Sequence, residues 1–246
     1  MSEEQTHSML LVVLGATAIL LWWSGEALNY VRPGLAPLVL AAGVVVLLLG
    51  LLPPLGLLSQ QPAGHADPSS SHHHRARVGW LLLVPVLVVL LVQPAALGSY
   101  AVSSRSVVPG GGGDGEFPPL SAPVRGAVPM SMAEFVTRAV RDPSRSLAGV
   151  RVRLVGFVSP AEGADGYRLT RFVIFCCAAD AEALQAVVAG DPTPRARDQW
   201  LEVEGRWQQR TSDDPDQRAS DTAMLLAESL RVIKQPSEPY ERGVPF

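Results

Sequence analysis

Three long apolar stretches open the chain and short alternating ones close it, and the change of period marks where one kind of structure gives way to another. Residues 9–28, 35–58 and 78–97 are dominated by Leu, Val, Ala and Ile. At ~1.5 Å of rise per residue, a run of about twenty such residues covers the hydrocarbon layer of a bilayer. All three are therefore expected to be membrane-spanning helices. The middle stretch is the clearest. The first needs Ala27, Leu28, Tyr30 and Val31 to reach full length, with Trp22 and Trp23 placed as interfacial anchors. The third is interrupted by Pro85, Gln93 and Pro94, which neighbouring helices can accommodate. Past residue 98 the apolar runs stop, and Gly110 to Gly113, Gly115, Pro118, Pro119, Pro123 and Pro129 predict a linker over 99–129.

From residue 130 the pattern is that of a small soluble domain, expected to run to 241. Ser131-Met132-Ala133-Glu134 has capping-box spacing, and Phe135, Val136, Ala139 and Val140 recur at helical spacing until Asp142-Pro143. Val150, Val152 and Leu154 then alternate with Arg151 and Arg153, and Gly156 permits a bulge or bend. Glu162 to Gly166 reads as a turn. Tyr167 to Cys177 is the next strand, apolar on both faces from Phe172 onward. Ala181 to Ala189 carries both helical and strand features and is taken as a strand; Leu201 to Trp207 and Met224 to Ile233 complete the set. The expected fold is thus a membrane α-helical N-terminal region of three helices over 1–98, followed by a mainly-β, five-stranded small barrel with one preceding helix.

Composition agrees with a membrane protein that has a soluble part: 48% of residues are hydrophobic, and mean hydropathy is +0.21. Net charge is −3, and Lys234 is the only lysine, so no long basic face is available for a phosphate backbone and nucleic acid is not expected as a partner. Membrane lipid is. Arg75 and Arg77 directly precede the third stretch, whereas Arg32 in the first loop is offset by Glu26. The excess of arginine places the second loop in the cytoplasm, the amino terminus inside and everything after Leu97 outside. Glu3 and Glu4, with no Lys or Arg, argue for a retained first span over a cleaved leader. The spans lack the buried charged residues that mark ion paths, Glu26 being the sole candidate and more simply read as a loop acid near Asn29 and Arg32. No Gly-x-x-x-Gly pair specifies a helix partner, because Leu47 follows Gly43 at that spacing and Pro54 follows Gly50.

Candidate chemistry concentrates at Cys176 and Cys177, the only cysteines, which end the run Arg171-Phe172-Val173-Ile174-Phe175 and precede Ala178-Ala179-Asp180. Two thiols at a strand end suit a soft metal or metalloid, or thiol redox, better than they suit stapling a fold. Consecutive side chains on a strand point to opposite faces, so joint chelation requires the strand to end there. A disulfide between them is disfavoured, since neighbouring Cα atoms lie ~3.8 Å apart and ordinary bridges want ~4.4–6.8 Å. The competing reading is packing: one cysteine fills the core and the other lies under a loop. Asp180 is the nearest third ligand, or else a helix or turn cap. The candidate metal set is therefore Cys176, Cys177 and Asp180, with a second copy of the chain or another protein able to complete it. His65 and His72 to His74 lie in a Pro/Ser-rich loop and read as a solvated tract. Arg171, Tyr167 and Trp207 could flank the cysteines but read more simply as an edge arginine and core aromatics. No catalytic Ser/His/Asp set, phosphate-cradling loop or carboxylate pair is present, so an enzyme is the weakest class.

Taken together, Gly156-Phe157-Val158, the run from Arg171 to Ala181 with its double cysteine, Trp200-Leu201-Glu202-Val203-Glu204-Gly205 and the closing Pro239-Tyr240-Glu241 resemble the YcgQ-like family of uncharacterised bacterial membrane proteins. The double-cysteine run is the specific part of the likeness. Glu182-Ala183-Leu184 departs from it, since a proline is expected there. The resemblance implies an OB-like barrel and a companion multi-spanning permease similar to those that include organoarsenical exporters, which this chain would serve as accessory subunit; with the three apolar stretches and the loop arginines, the expected location is a bacterial plasma membrane, multi-pass, with the C-terminal domain extracytoplasmic.

Overall fold

A computed structural model describes residues 3–53, 84, 87, 88, 95–103, 105, 117–160, 167–209 and 223–242. The chain divides into two compact units, Met1–Ala95 and Ala96–Phe246. In the first, α1 (Glu3–Ser24) and α2 (Ala36–Leu51) pack against each other, joined through a 3-10 turn at Glu26–Asn29. α1 stops where Gly25 adopts φ 79°, a left-handed conformation that glycine takes without a steric penalty. α2 begins with a proline in its first turn and gives way to a turn at Leu52 and Pro53, where the proline has no N–H with which to continue the helical ladder.

Glycines set how closely the two helices approach. A Cβ at Gly15 would lie 2.7 Å from the Gly43 carbonyl oxygen, one at Gly43 would lie 2.9 Å from the Ala18 Cβ, and one at Gly50 would lie 2.8 Å from the Val12 nitrogen. Small residues here let backbones touch, as in the familiar four-residue motif, but Gly43 and Gly50 are seven apart and escape a search for it.

The expectation of a three-helix membrane region is corrected. Among the described residues three α-helices have both ends described, two in this unit and one in the next, and only Gln5–Ser24 in α1 is long and apolar enough to cross a membrane. Of the stretch expected over 35–58, α2 takes sixteen residues and 54–58 lie outside the described residues; the stretch expected over 78–97 falls mostly outside them, apart from the helical Val84, Leu87 and Val88 and residues 95–97, and His65 and His72 to His74 lie wholly outside them. Glu26 opens the 3-10 turn between the two helices.

The second unit is built on a sheet whose strands are β1 (Val128–Pro129), β2 (Arg151–Pro160), β3 (Tyr167–Ile174), β4 (Glu182–Ala189), β5 (Trp200–Gln208), β6 (Met224–Val232) and β7 (Glu241–Arg242), with α3 (Met132–Arg141) before β2. They run in the order β1-β2-β5-β6-β4-β3-β7, with β2 also pairing to β3. This overturns the expected five-stranded barrel: the sheet has seven strands, and it is mixed, because β1–β2, β4–β6 and β3–β7 are parallel. Two-residue strands carry no alternation, so β1 and β7 left no trace in the hydrophobic pattern. The ambiguous stretch after Ala181 is a strand.

β2 pairs with β5 and β3 in succession, besides its short pairing with β1. Its residues 151–157 pair with β5 and 157–160 with β3, and Gly156 sits at the changeover, where a Cβ would come within 2.7 Å of the Thr170 carbonyl oxygen. Two apolar clusters result. The larger packs Met132 and Phe135 of α3 on Leu154, Leu169, Leu201, Val203 and Leu225. The smaller joins Phe157, Phe172, Ile174, Trp200 and Tyr240 to Ala101 and Val102, with the Phe157 ring 5.7 Å from Phe172 and 5.6 Å from Trp200. Such aromatic pairs add stabilisation beyond the area they bury. Replacing Gly156 with Val should push β2 off β3 and destabilise the fold by about 1–3 kcal/mol, read as a lower denaturation midpoint of the detergent-solubilised chain; an unchanged midpoint would contradict the close approach.

Candidate functional site

β3 ends at Ile174, and the next six residues form a tight loop: Phe175 and Cys176 bend away, Cys177 is extended at φ −153°, and Ala178–Asp180 make one 3-10 turn. The Asp180 carboxylate draws the loop together. Its Oδ1 accepts the Phe175 N–H at 3.0 Å, and its Oδ2 accepts those of Cys176 at 2.8 Å and Cys177 at 3.3 Å. In return the Asp180 N–H is directed at Cys177, giving a capping box in which cysteine takes the place usually held by serine. Three backbone donors left orphaned by the end of the strand are thereby satisfied by one side chain.

The loop puts both thiols on one side, which an extended strand cannot do. The Cys176 and Cys177 sulfurs are 3.6 Å apart, and together with an Asp180 oxygen they form a group of metal-ligating atoms all within 4.8 Å of one another. Cys176 is exposed and Cys177 half-buried, both as free thiols. Hydrogen bonding to Asp180, then to Cys177, pushes the Cys176 thiol up to about 12, because an anionic acceptor stabilises the protonated form and repels the thiolate. For Asp180, burial acts upward, but hydrogen bonds from the Cys176 thiol and the three backbone N–H groups outweigh it and hold the carboxyl below its usual range.

Both ends of the loop are fixed. Ile174 on one side and Ala181 on the other are buried in the smaller apolar cluster. Arg105 grips the turn itself, its Nη1 donating to the carbonyls of Ala178 at 3.0 Å, Ala179 at 3.1 Å and Ala181 at 3.3 Å, while its own carbonyl accepts the Ala183 N–H at 2.7 Å. Arg105 falls in the stretch read from sequence as a linker. The segment that carries it is tied down at Leu97, whose N–H donates to the Tyr240 hydroxyl at 2.9 Å, and at Ser99, whose N–H donates to Asp198. The only sequence signal for Arg105 was an arginine just past the apolar Tyr100-Ala101-Val102 in a Gly-rich region.

The closing Pro239-Tyr240-Glu241 supports the same end of the sheet. β7 lies parallel beside Val173 and Ile174, directly before the loop. The Glu241 carboxylate accepts the N–H groups of Met132 at 2.8 Å and Ala133 at 3.0 Å, the favourable place for an acid at a helix start. Burial pushes Glu241 up, opposed by those two bonds and by Arg171. Ser131 caps α3 as expected, accepting the Glu134 N–H at 3.0 Å, but the Glu134 carboxylate turns to Arg138, and Glu241, over a hundred residues away, satisfies the next two donors, Met132 and Ala133. The residues considered as flanking groups are engaged elsewhere. Arg171 is buried, not a solvated edge, with its guanidinium 4.9 Å from the Trp200 ring centre and donating to the Glu238 carbonyl at 2.7 Å. Tyr167 donates to Asp191 at 2.8 Å, and Trp207 packs against the larger cluster.

Residues 7–108 match the family model described as the DUF1980 N-terminal domain, and residues 134–241 match the one described as the DUF1980 C-terminal domain. Neither description carries the expected YcgQ-like name or a permease role. No curated protein and no solved structure matches the chain.

Exchanging Asp180 for Asn removes the negative charge that disfavours the Cys176 thiolate, so the thiol should fall from about 12 toward the ordinary thiol range. Alkylation of Cys176 by iodoacetamide at about pH 8 should then accelerate by roughly tenfold or more, thiolate fraction outweighing the lower intrinsic nucleophilicity. An unchanged pH–rate profile would show that Asp180 does not set this thiol.

Proposed function

We propose that this chain, which carries both DUF1980 domains, is a membrane-anchored binding subunit that captures a thiophilic ion, a soft metal or metalloid, through Cys176 and Cys177. The observation that carries the reading is the convergence of two sulfurs and a carboxylate within 4.8 Å on a partly exposed loop. Thiolate sulfur selects soft ions over the hard cations that prefer oxygen. A thiol oxidoreductase is less well supported, because the adjacent cysteines lack the two-residue spacer of thioredoxin-like motifs.

The setting we propose is the bacterial plasma membrane, with α1 as an anchor and the C-terminal unit outside. It rests on the length of α1 and on Arg75 and Arg77 before the third stretch. We extend the proposal to a companion multi-spanning permease, which the chain would serve as accessory subunit, on the strength of the family resemblance. A structural role for the cysteines is the second reading, favoured by the half-buried Cys177 acting as a turn cap.

Equilibrium dialysis of the full chain in detergent separates the two. The wild type should retain one Cd2+ or Ag+ per chain in the presence of excess Mg2+, and the double variant Cys176→Ser with Cys177→Ser should retain none while unfolding at a similar temperature. Wild-type chain that holds neither ion, or a double variant that holds as much, would leave the structural reading. Co-purification in mild detergent should recover an identified multi-spanning permease; recovery of the chain alone would count against that partner.

A further inference from the structure

The distance between the two sulfurs restricts which ion both can hold. Sulfurs 3.6 Å apart, each ~2.3 Å from a shared ion, enclose ~100° at that ion. A two-coordinate ion asks for a straight line through both sulfurs, hence a spacing of ~4.6 Å at the same bond length. A tetrahedral ion asks for ~3.8 Å, close to what the loop already presents. The loop is also poorly placed to open the sulfurs further, since Asp180 fixes the N–H groups of Phe175, Cys176 and Cys177 and Arg105 fixes the carbonyls of Ala178, Ala179 and Ala181.

The donor atoms already converge. The two sulfurs are 3.6 Å apart, and both lie within 4.8 Å of an Asp180 carboxylate oxygen, the three atoms that an ion would bridge. Asp180 has little more to give. A carboxylate offers roughly four lone-pair positions, and three backbone N–H groups already use all but one of them. The chain's own donors therefore amount to two sulfurs and a single oxygen, on a loop whose leading cysteine is exposed.

Resting on the ion-binding reading above, we infer that Cys176, Cys177 and Asp180 form an open three-donor chelate for a four-coordinate divalent d10 cation of the Zn2+ or Cd2+ type, whose fourth position faces outward for an exchangeable ligand. On binding, two S–H bonds break, two ion–sulfur bonds form and two protons leave to solvent, with no change of oxidation state. The outward position is where water, or a donor atom of an acceptor molecule, attaches, so an ion can be passed on by ligand exchange without the loop unfolding. A closed structural site would instead surround the ion with four protein ligands.

X-ray absorption at the cadmium edge, on the full chain in detergent loaded with one equivalent of Cd2+, counts the sulfurs. The expected result is two sulfurs with oxygen ligands completing the shell, and a cadmium NMR resonance that shifts in the Asp180→Asn variant, which keeps an oxygen for the backbone N–H groups but offers the ion no carboxylate. Four sulfurs per ion would mean that two chains share it, and the open site would be wrong. A chain that takes Ag+ in a straight two-sulfur site but no Cd2+ would overturn the four-coordinate assignment while leaving ion capture intact. An unmoved cadmium resonance in Asp180→Asn would remove Asp180 from the shell, and failure to hold either ion would overturn this inference together with the reading beneath it.

Discussion

The carboxylate of Asp180 accepts the N–H groups of three successive residues, Phe175, Cys176 and Cys177, and the chemistry proposed for this chain follows from that convergence. Had β3 continued, one cysteine would have faced each side of the sheet. Because the three N–H groups turn inward to one acceptor, the backbone leaves the pleat, and the two thiols come to 3.6 Å of each other on one side. The same carboxylate then biases the thiol it has positioned, holding Cys176 in its protonated form. Structural role and chemical role meet in one side chain, so the two alternatives for Asp180, cap and ligand, do not exclude each other.

Around the loop the fold spends polar groups freely to hold a short segment still. A six-residue loop with few buried side chains has little hydrophobic stabilisation of its own, and its order must come from its ends and its hydrogen bonds. Ile174 and Ala181 anchor the ends in an aromatic cluster. Arg105 reaches in from a segment that is far away in sequence. The last strand, β7, lies against β3 immediately before the loop, and its Glu241 is bonded to the start of α3. Burying Glu241 and Arg171 costs solvation, which the two N–H bonds and the mutual attraction partly offset. Charges held in this way make the end of the sheet a single mechanical unit.

Much of this was legible in the sequence, and the parts that were not share a cause. Strong alternation marked β2 and β5, and the capping signal at Ser131 marked the start of α3, because local periodicity and local hydrogen bonding decide those elements. The cysteine pair and its nearest acid were visible as a cluster because the residues are close in the chain. Long-range pairings were invisible. Glu241 on α3, Arg105 on the Cys loop and the added strands β1 and β7 depend on segments that meet only after folding. The helices of the first unit show the same limit. Apolar length suggests a crossing, yet Gly25 and Pro53 end the helices earlier than hydropathy does, and glycines at a seven-residue spacing bring α1 and α2 together without any familiar motif.

Amide hydrogen exchange of the full chain in detergent micelles tests the central constraint most directly. The account predicts slow exchange at Phe175, Cys176 and Cys177 in the wild type, and fast exchange at those three amides in an Asp180→Ala variant whose Leu169 to Val173 amides remain protected. Equal exchange at the three positions in both proteins would contradict it, for then something other than the Asp180 carboxylate would be holding the two sulfurs side by side.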